Sequence, residues 1–182
     1  MELSLKERLF LANQYEILGK ISKDNHDIKH YEMLVEVLKS GFSREYDELL
    51  LGFEREILSQ EDCQFVVDTL NLYRELRFSW ENNKEVRENI EEWKTLFKGF
   101  DLNENSNYYS YYKFLVNERG LWQEIKELMD QGKIDDFNSH GAYPYISKLK
   151  CMISNWKEIQ ERRRIDNSYE ELSLEEVNYI LD

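Results

Sequence analysis

The chain has 182 residues, enough for one domain with a proper core, and its 41% hydrophobic content is not that of a disordered protein. A formal net charge of −13 argues against nucleic acid or an anionic membrane as a general partner, since both attract Lys and Arg. One proline and seven glycines leave little turn chemistry for a β protein. The sequence shows neither an apolar run of roughly 18 residues nor a secretion signal, so we expect a cytoplasmic protein without a membrane span.

The first predicted helix runs from about Glu2 to Lys20. Asn13 and Gln14 project inside its apolar sector, where side-chain amides need hydrogen-bond partners. We expect them to bond another helix's backbone or a subunit partner, with ligand binding as the alternative. The apolar residues of that sector are Leu3, Leu9, Phe10, Ile17, Leu18 and Ile21.

A break at Ser22 to Asp27 precedes a second helix, which ends near Ser40 with Gly41 as its C-terminal stop. Ser43 then opens a shorter amphipathic segment. The inward residues of the second helix are predicted to be Tyr31, Leu34, Val35 and Leu38.

The central element is predicted between residues 59 and 82, where Ser59 and Asp62 form a helix-start capping pair. Its apolar sector covers more than half the circumference, which requires several packing partners. Arg74 falls inside that sector, so it should pair with a carboxylate or bind an anion. The apolar residues are Phe65, Val66, Val67, Leu70, Leu72, Tyr73, Leu76 and Trp80. The polar remainder holds Gln64, Asp68, Asn71, Glu75 and Ser79.

Three further helical segments follow, at Lys84 to Phe97, from Asn103 or Ser106 onward, and at Leu121 to Met129. Gly99 and Gly120 separate them. The stretch from Gln131 to Tyr143 is irregular. Inward residues are expected at Val86, Ile90, Trp93 and Phe97 in the first segment and at Tyr108, Tyr111, Tyr112 and Leu115 in the second.

Pro144 is expected at the first position of the next helix. The last turn of that helix contains Arg162, Arg163 and Arg164, whose positive charges complement the helix dipole. Its apolar stripe is Tyr145, Leu149, Met152, Trp156 and Ile159. The acidic segment 165–182 contains a capping box, Ser173 with Glu176, which predicts a short helix that docks by Val177, Ile180 and Leu181. The fold prediction is all-α: one multihelical domain spanning residues 1–182, with about seven to nine helices around the central one.

Two segments resemble metal-binding motifs, but neither has the required ligands at the required positions. The segment Asp101 to Asn105 resembles the start of a calcium loop, but Ser106 and Tyr112 occupy the positions of its required glycine and glutamate. His26 and His30 lack the glutamate of a zinc-protease motif and a third ligand. We therefore predict no metal and no cofactor.

Two features remain open. His140 lies in the irregular stretch Asn138 to Gly141, which is either a structural loop or part of an active site. The two cysteines, Cys63 and Cys151, have no motif spacing and are expected to be buried free thiols, with a disulfide as the alternative.

Ordered motifs along nearly the whole chain resemble the YfbU family of bacterial proteins. They begin with Arg8-Leu-Phe-Leu-Ala-Asn-Gln-Tyr15 and continue through Asp62-Cys63 to Ser79-Trp80. Later ones are Phe97-x-Gly99-Phe100-Asp101, Asn103-Glu104, Phe114-x-Val116-Asn117-Glu118, Phe137-Asn-Ser-His140 and the terminal Leu172-Ser173 to Ile180-Leu181. The resemblance implies an all-helical cytoplasmic protein but does not imply any catalytic activity. Polar positions shared with the family pattern are Asn13, Asp101, Asn117 and His140.

Three functional hypotheses follow. The first is a non-enzymatic protein that acts through a protein partner or its own homo-oligomer, because aromatic stripes are plentiful and no catalytic constellation stands out. The second is a small-molecule-binding protein or enzyme with a pocket that uses Arg74, Asp101 and His140. Its candidate ligand-binding residues are Asn13, Arg74, Asp101, Asn117 and His140. The third and weakest is a nucleic-acid-linked regulator with a local basic face.

Overall fold

A computed structural model describes residues 2–53, 57–142, 144–166 and 170–182, with only the backbone at residue 166. The predicted boundary at Tyr143 lies outside these residues. The described chain is all-α and forms two compact units, Met1–Ile57 and Leu58–Asp182. Its α-helices are α1 (Leu5–Ile21), α2 (Asn25–Ser40), α3 (Gln60–Asn82), α4 (Lys84–Asn89), α5 (Ser106–Asn117), α6 (Glu124–Asp130), α7 (Ile146–Asp166) and α8 (Leu174–Leu181). Two 3₁₀ helices span Ser43–Leu50 and Glu92–Thr95.

The first unit is an α-helical hairpin of α1 and α2, followed by the 3₁₀ helix Ser43–Leu50. A capping box of Ser4 and Glu7 starts α1, and Gly41 ends α2 in the left-handed conformation (φ 73°), as its position predicted. The buried core of this unit is small, and its members are Ala12, Leu34, Val37, Leu38, Tyr46 and Leu49.

The second unit is built around α3, as predicted. Ser59 caps the helix by accepting a hydrogen bond from the Asp62 N–H at 3.0 Å. Val66, Leu72 and Leu76 have no exposed surface. The larger of the two cores collects around these residues and includes side chains from α4 to α8.

The polar side of α3 differs from the prediction. Asp68 is buried and pairs with Lys157 of α7 at 2.5 Å, and Ser79 is buried and accepts a hydrogen bond from the Leu172 N–H at 2.9 Å. Arg74, predicted inside the apolar sector, has an exposed side chain. Part of the polar side of α3 is therefore buried, because partners distant in sequence satisfy the polar groups of Asp68 and Ser79.

The predicted helix from Lys84 to Phe97 is interrupted. α4 ends at Asn89, and Ile90 adopts an extended backbone (φ −112°, ψ 126°) before the 3₁₀ helix Glu92–Thr95. The Trp80 indole N–H donates to the Ile90 carbonyl at 2.9 Å, which takes that carbonyl out of a continuing helix. Trp93 consequently leaves the predicted inward stripe and is 48% exposed.

The later helices follow the predicted order with shifted ends. α5 begins at Ser106, and α7 begins at Ile146, two residues after Pro144. Tyr145 is exposed, whereas Leu149, Met152 and Ile159 are buried. The capping box of Ser173 and Glu176 forms, and α8 docks through Val177 and Ile180.

Both cysteines are free, but only Cys63 is partly buried. Cys151 is exposed on α7, so its predicted burial is wrong. Within the described part of the chain, the helices are too short or too polar to cross a membrane.

Candidate functional site

The outward face of α1 is apolar and exposed. We call Phe10, Asn13, Gln14, Ile17 and Ile21 the outer stripe, because their spacing of three or four residues places them on one side of the helix. Phe10 is 60% exposed, Ile17 54% and Ile21 67%. The sector was predicted to be apolar, and the structure adds that it is not part of the described core.

The inward face of α1 explains this exposure. Leu11, Ala12 and Tyr15 pack in the core of the first unit, and Tyr15 stacks on Tyr31 of α2 with ring centroids 6.0 Å apart. The Arg8 guanidinium donates to the Leu38 carbonyl at 3.2 Å and fixes the same face against α2. α1 is thus apolar on two sides, and α2 covers only one of them.

The two amides of the outer stripe lie exposed at its centre. Neither the Asn13 nor the Gln14 side chain has a hydrogen-bond partner among the residues that the structure describes. The predicted bond to another helix's backbone is therefore not seen within the described chain. Both amides are available to a group outside it.

Further apolar residues widen this surface. Leu9 and Leu18 flank the outer stripe on α1, Leu5 lies near its start, and Met33 is exposed on α2. Contiguous apolar exposure of this kind is characteristic of protein interaction sites rather than of ordinary monomer surface.

A second feature joins two of the family-like motifs, and we call it the loop junction (residues 97–105 and 137–142). A short β-bridge pairs Phe100 with Asn138, and the Ser139 N–H donates to the Phe100 carbonyl at 3.2 Å. The Asn138 side-chain oxygen accepts from the backbone N–H groups of Leu102 at 3.1 Å and of His140 at 3.0 Å. Asn138 was absent from the predicted site residues, although the Asn-x-His spacing of an Asx turn signals it.

Backbone geometry at the junction explains both glycines. A Cβ on Gly99 (φ +99°) would lie 2.0 Å from the Phe137 carbonyl oxygen, so only glycine fits there. His140 (φ 49°) and Gly141 (φ 76°) are the central residues of a turn closed by the Ala142 N–H on the Ser139 carbonyl at 2.9 Å. Two positive φ values define a type I′ turn, an arrangement that is strained for histidine.

Asp101 holds the other side of the junction. Its Oδ1 accepts from the N–H groups of Asn103 at 2.8 Å and Glu104 at 2.9 Å, which shapes the entry to α5. Its Oδ2 lies 3.7 Å from the Cβ position of Gly141. A cavity of about 260 Å³ lies beside these groups and includes Asp101, Ser139 and Gly141 in its walls. The structure therefore brings Asp101 and the turn containing His140 together.

The remaining predicted site residues lie elsewhere. Arg74 forms a two-point ion pair with Glu124 (Nη2 to Oε2 2.9 Å), and its guanidinium lies 5.4 Å from the ring centroid of Trp122. The cleft that Arg74 lines shares no residue with the cavity beside Asp101. Asn117 is the exposed last residue of α5, and Asn13 lies in the first unit.

The ionisable side chains do not assemble into a metal centre in the described ranges. The structure contains no group of three or more His, Cys, Asp or Glu residues there that could hold a metal ion. The His140 Nε2 lies 3.9 Å from the Asp136 Oδ2, and both side chains are exposed.

Comparison with known proteins decides the family. The family model described as "YfbU domain" matches residues 1–182. The chain belongs to the YfbU family. A UPF0304 protein of Methanocaldococcus jannaschii is 32% identical over 171 residues, which cover 93% of this chain and 96% of the relative. A UPF0304 protein of Actinobacillus succinogenes is 29% identical over 182 residues, which cover 100% of this chain and 99% of the relative.

The YfbU assignment confirms the resemblance and extends it to full length. Neither relative's name states an activity, so YfbU membership establishes family and fold and leaves function to the chemistry of the surface.

Proposed function

We propose that this YfbU protein is a non-enzymatic, cytoplasmic interaction module that works through protein–protein contact at the outer stripe of α1. The partner is another copy of the chain or a second protein. The supporting observation is the exposure of Phe10, Ile17 and Ile21 on a helix whose opposite face is already packed. A helix that is apolar on two faces needs two partners.

The expected affinity follows from the exposed area. Complete burial of a Leu, Ile or Phe side chain stabilises by about 1.5–3 kcal/mol, so a half-exposed one gains roughly 1 kcal/mol on contact. Five such side chains on α1, Leu9, Phe10, Ile17, Leu18 and Ile21, give about 5 kcal/mol per copy. A contact of this strength between two chains, set against an association cost of roughly 4–15 kcal/mol, corresponds to micromolar or weaker binding.

Hydroxyl-radical footprinting tests the proposal with a matched pair of residues. Phe10 is 60% exposed and Phe78 of α3 is 52% exposed, so both rings should be oxidised at similar rates in dilute purified protein. We expect the Phe10 rate to fall several-fold in concentrated protein or in extract of the source cells, while the Phe78 rate is unchanged. Equal rates at the two rings under every condition would contradict the proposal.

A second proposal is small-molecule binding at the loop junction, with Asp101 in the cavity wall and His140 in the turn between the lining residues Ser139 and Gly141. Its support is the cavity of about 260 Å³, which is close to the lower size of known ligand sites, roughly 300 Å³. Native mass spectrometry of protein purified without dialysis tests it. A co-purifying mass that Ala142→Trp removes supports it, whereas an unliganded protein that binds nothing in a metabolite screen contradicts it.

A further inference from the structure

The outer stripe has a symmetric pattern about its centre. Asn13 and Gln14 form the middle, Phe10 precedes them and Ile17 follows them at matching spacings of three and four residues. Lys20 and Glu7 lie at equal distances beyond. Between Glu7 and Lys20, reading the stripe in either direction therefore gives the same order of charged, apolar and amide positions, whereas Ile21 has Lys6 as its counterpart and lies outside this symmetry.

Amides at the centre of an apolar stripe select the partner. Each amide carries two donors and an acceptor, so the best partner for it is another amide at the same level. A purely apolar groove would leave Asn13 and Gln14 desolvated and unpaired, which is costly. Polar residues at such positions fix register and partner in paired helices. A second copy of this chain supplies the matching amides.

Charge decides the direction of the pair. A parallel pair would place Lys6, Glu7 and Lys20 beside their own counterparts, which repel. An antiparallel pair centred between Asn13 and Gln14 places Lys20 of one copy at the level of Glu7 of the other, and does so twice. It also places Phe10 opposite Ile17.

We propose that two copies of the chain pair antiparallel through the outer stripes of their α1 helices, with Asn13 and Gln14 at the two-fold axis. The interface is isologous, so each contact occurs twice. This inference rests on the proposed function and names its partner. Other copies approach through one defined helix face, and the amide centre sets the register.

Single cysteines in a cysteine-free background test the register. Cys63→Ala and Cys151→Ser remove the native thiols, and the background must keep the wild-type mass in solution. A disulfide needs Cβ atoms about 3.5–4.5 Å apart. In the antiparallel pair, residue 14 lies near its counterpart, whereas residue 10 is displaced from its counterpart by seven residues, roughly 10 Å.

We expect Gln14→Cys to form a covalent dimer at least 10-fold faster than Ile165→Cys, an exposed position on α7 that reports random collision. Phe10→Cys alone should react at the control rate, and a mixture of Phe10→Cys with Ile17→Cys should yield the mixed dimer. Because these substitutions weaken the contact, the reactions are run well above the dissociation constant measured for each variant.

Three other results overturn the inference in distinguishable ways. Self-linking of Phe10→Cys and of Ile17→Cys would indicate a parallel pair. A dimer by mass, with all stripe positions reacting at the control rate, would show that the copies pair through another surface. The proposed function would then stand only if Phe10 is protected in cell extract, which would indicate a second protein on the outer stripe. A monomer at all concentrations, with Phe10 unprotected in extract, would remove the inference and the proposed function together.

Discussion

Ile17→Lys is the most informative single change on the outer stripe. Ile17 is 54% exposed, so within one chain its side chain makes limited contact. Between two chains it becomes buried, and the lysine ammonium would have to leave water at an apolar contact.

The magnitude follows from the lost burial. About half of an isoleucine side chain is newly buried on pairing, which is worth roughly 1 kcal/mol per copy. An isologous interface loses this twice, about 2 kcal/mol, which corresponds to a roughly 30-fold weaker dimer. Desolvation of the ammonium adds to that figure, so 30-fold is the minimum expected.

Sedimentation equilibrium measures the effect, with Ile165→Lys as the matched control. Ile165 is 74% exposed on α7, outside the proposed contact, and the same substitution there should leave the dimer constant within about twofold. The melting temperature of both variants should stay near that of the wild type. An unchanged dimer constant for Ile17→Lys, or equal weakening by both substitutions, would refute the reasoning.

Three further predictions concern the second unit. Gly99→Ala should lower the free energy of unfolding by more than about 3 kcal/mol because its Cβ meets the Phe137 carbonyl oxygen at 2.0 Å, whereas Gly120→Ala (φ +66°, no atom within 4 Å) should cost only about 1 kcal/mol. Urea denaturation of the two variants checks this, and similar losses would contradict it. Tyr112→Phe should stabilise by about 1 kcal/mol in the same assay, because the Tyr112 hydroxyl is fully buried and has no hydrogen-bond partner in the described structure; a clear loss of stability would argue against this. Partial burial raises the pKa of Glu176, but hydrogen bonds from Arg163 and Ser173 outweigh it and hold the pKa below the ordinary 4.5. The stabilisation from this carboxylate is therefore complete above about pH 4.5 and is lost as the pH falls through the folded-state pKa, so wild type should exceed Glu176→Gln by about 1 kcal/mol at neutral pH and converge with it in acid.

Features with local causes were predictable from the sequence. The capping pair at Ser59, the capping box at Ser173 and the glycine stop at Gly41 each depend on residues a few positions apart. Their side chains and backbone decide the helix ends before any tertiary contact forms. The all-α class follows from the same signals.

Features with distant causes were not predictable. The burial of Ser79 depends on Leu172, and the end of α4 depends on the bond from Trp80 to Ile90. Arg74 was expected to be buried because it shares a helix face with apolar residues. Helical periodicity shows which residues share a face, but it does not show which face other elements cover. The same limit applies to α1, whose apolar sector was predicted while its exposure was not.

The same distinction between local and distant causes applies to the candidate sites. The sequence identified Asn13 and Gln14 as amides that need partners, and Asp101 and His140 as polar loop residues. It could not show that the loops of Asp101 and His140 meet, since the bridge partners Phe100 and Asn138 are 38 positions apart in the sequence. That contact depends on the close approach at Gly99, which is a property of the folded backbone.

The mass of the unmodified protein in solution tests the central claim most directly. Sedimentation equilibrium from about 1 µM to 1 mM covers the micromolar affinities at the strong end of the range expected from the exposed stripe. We expect the mass to rise from 22.2 kDa toward twice that value as concentration increases. A mass of 22.2 kDa throughout the range, with Phe10 as reactive as Phe78 in cell extract, would contradict an interaction surface on α1.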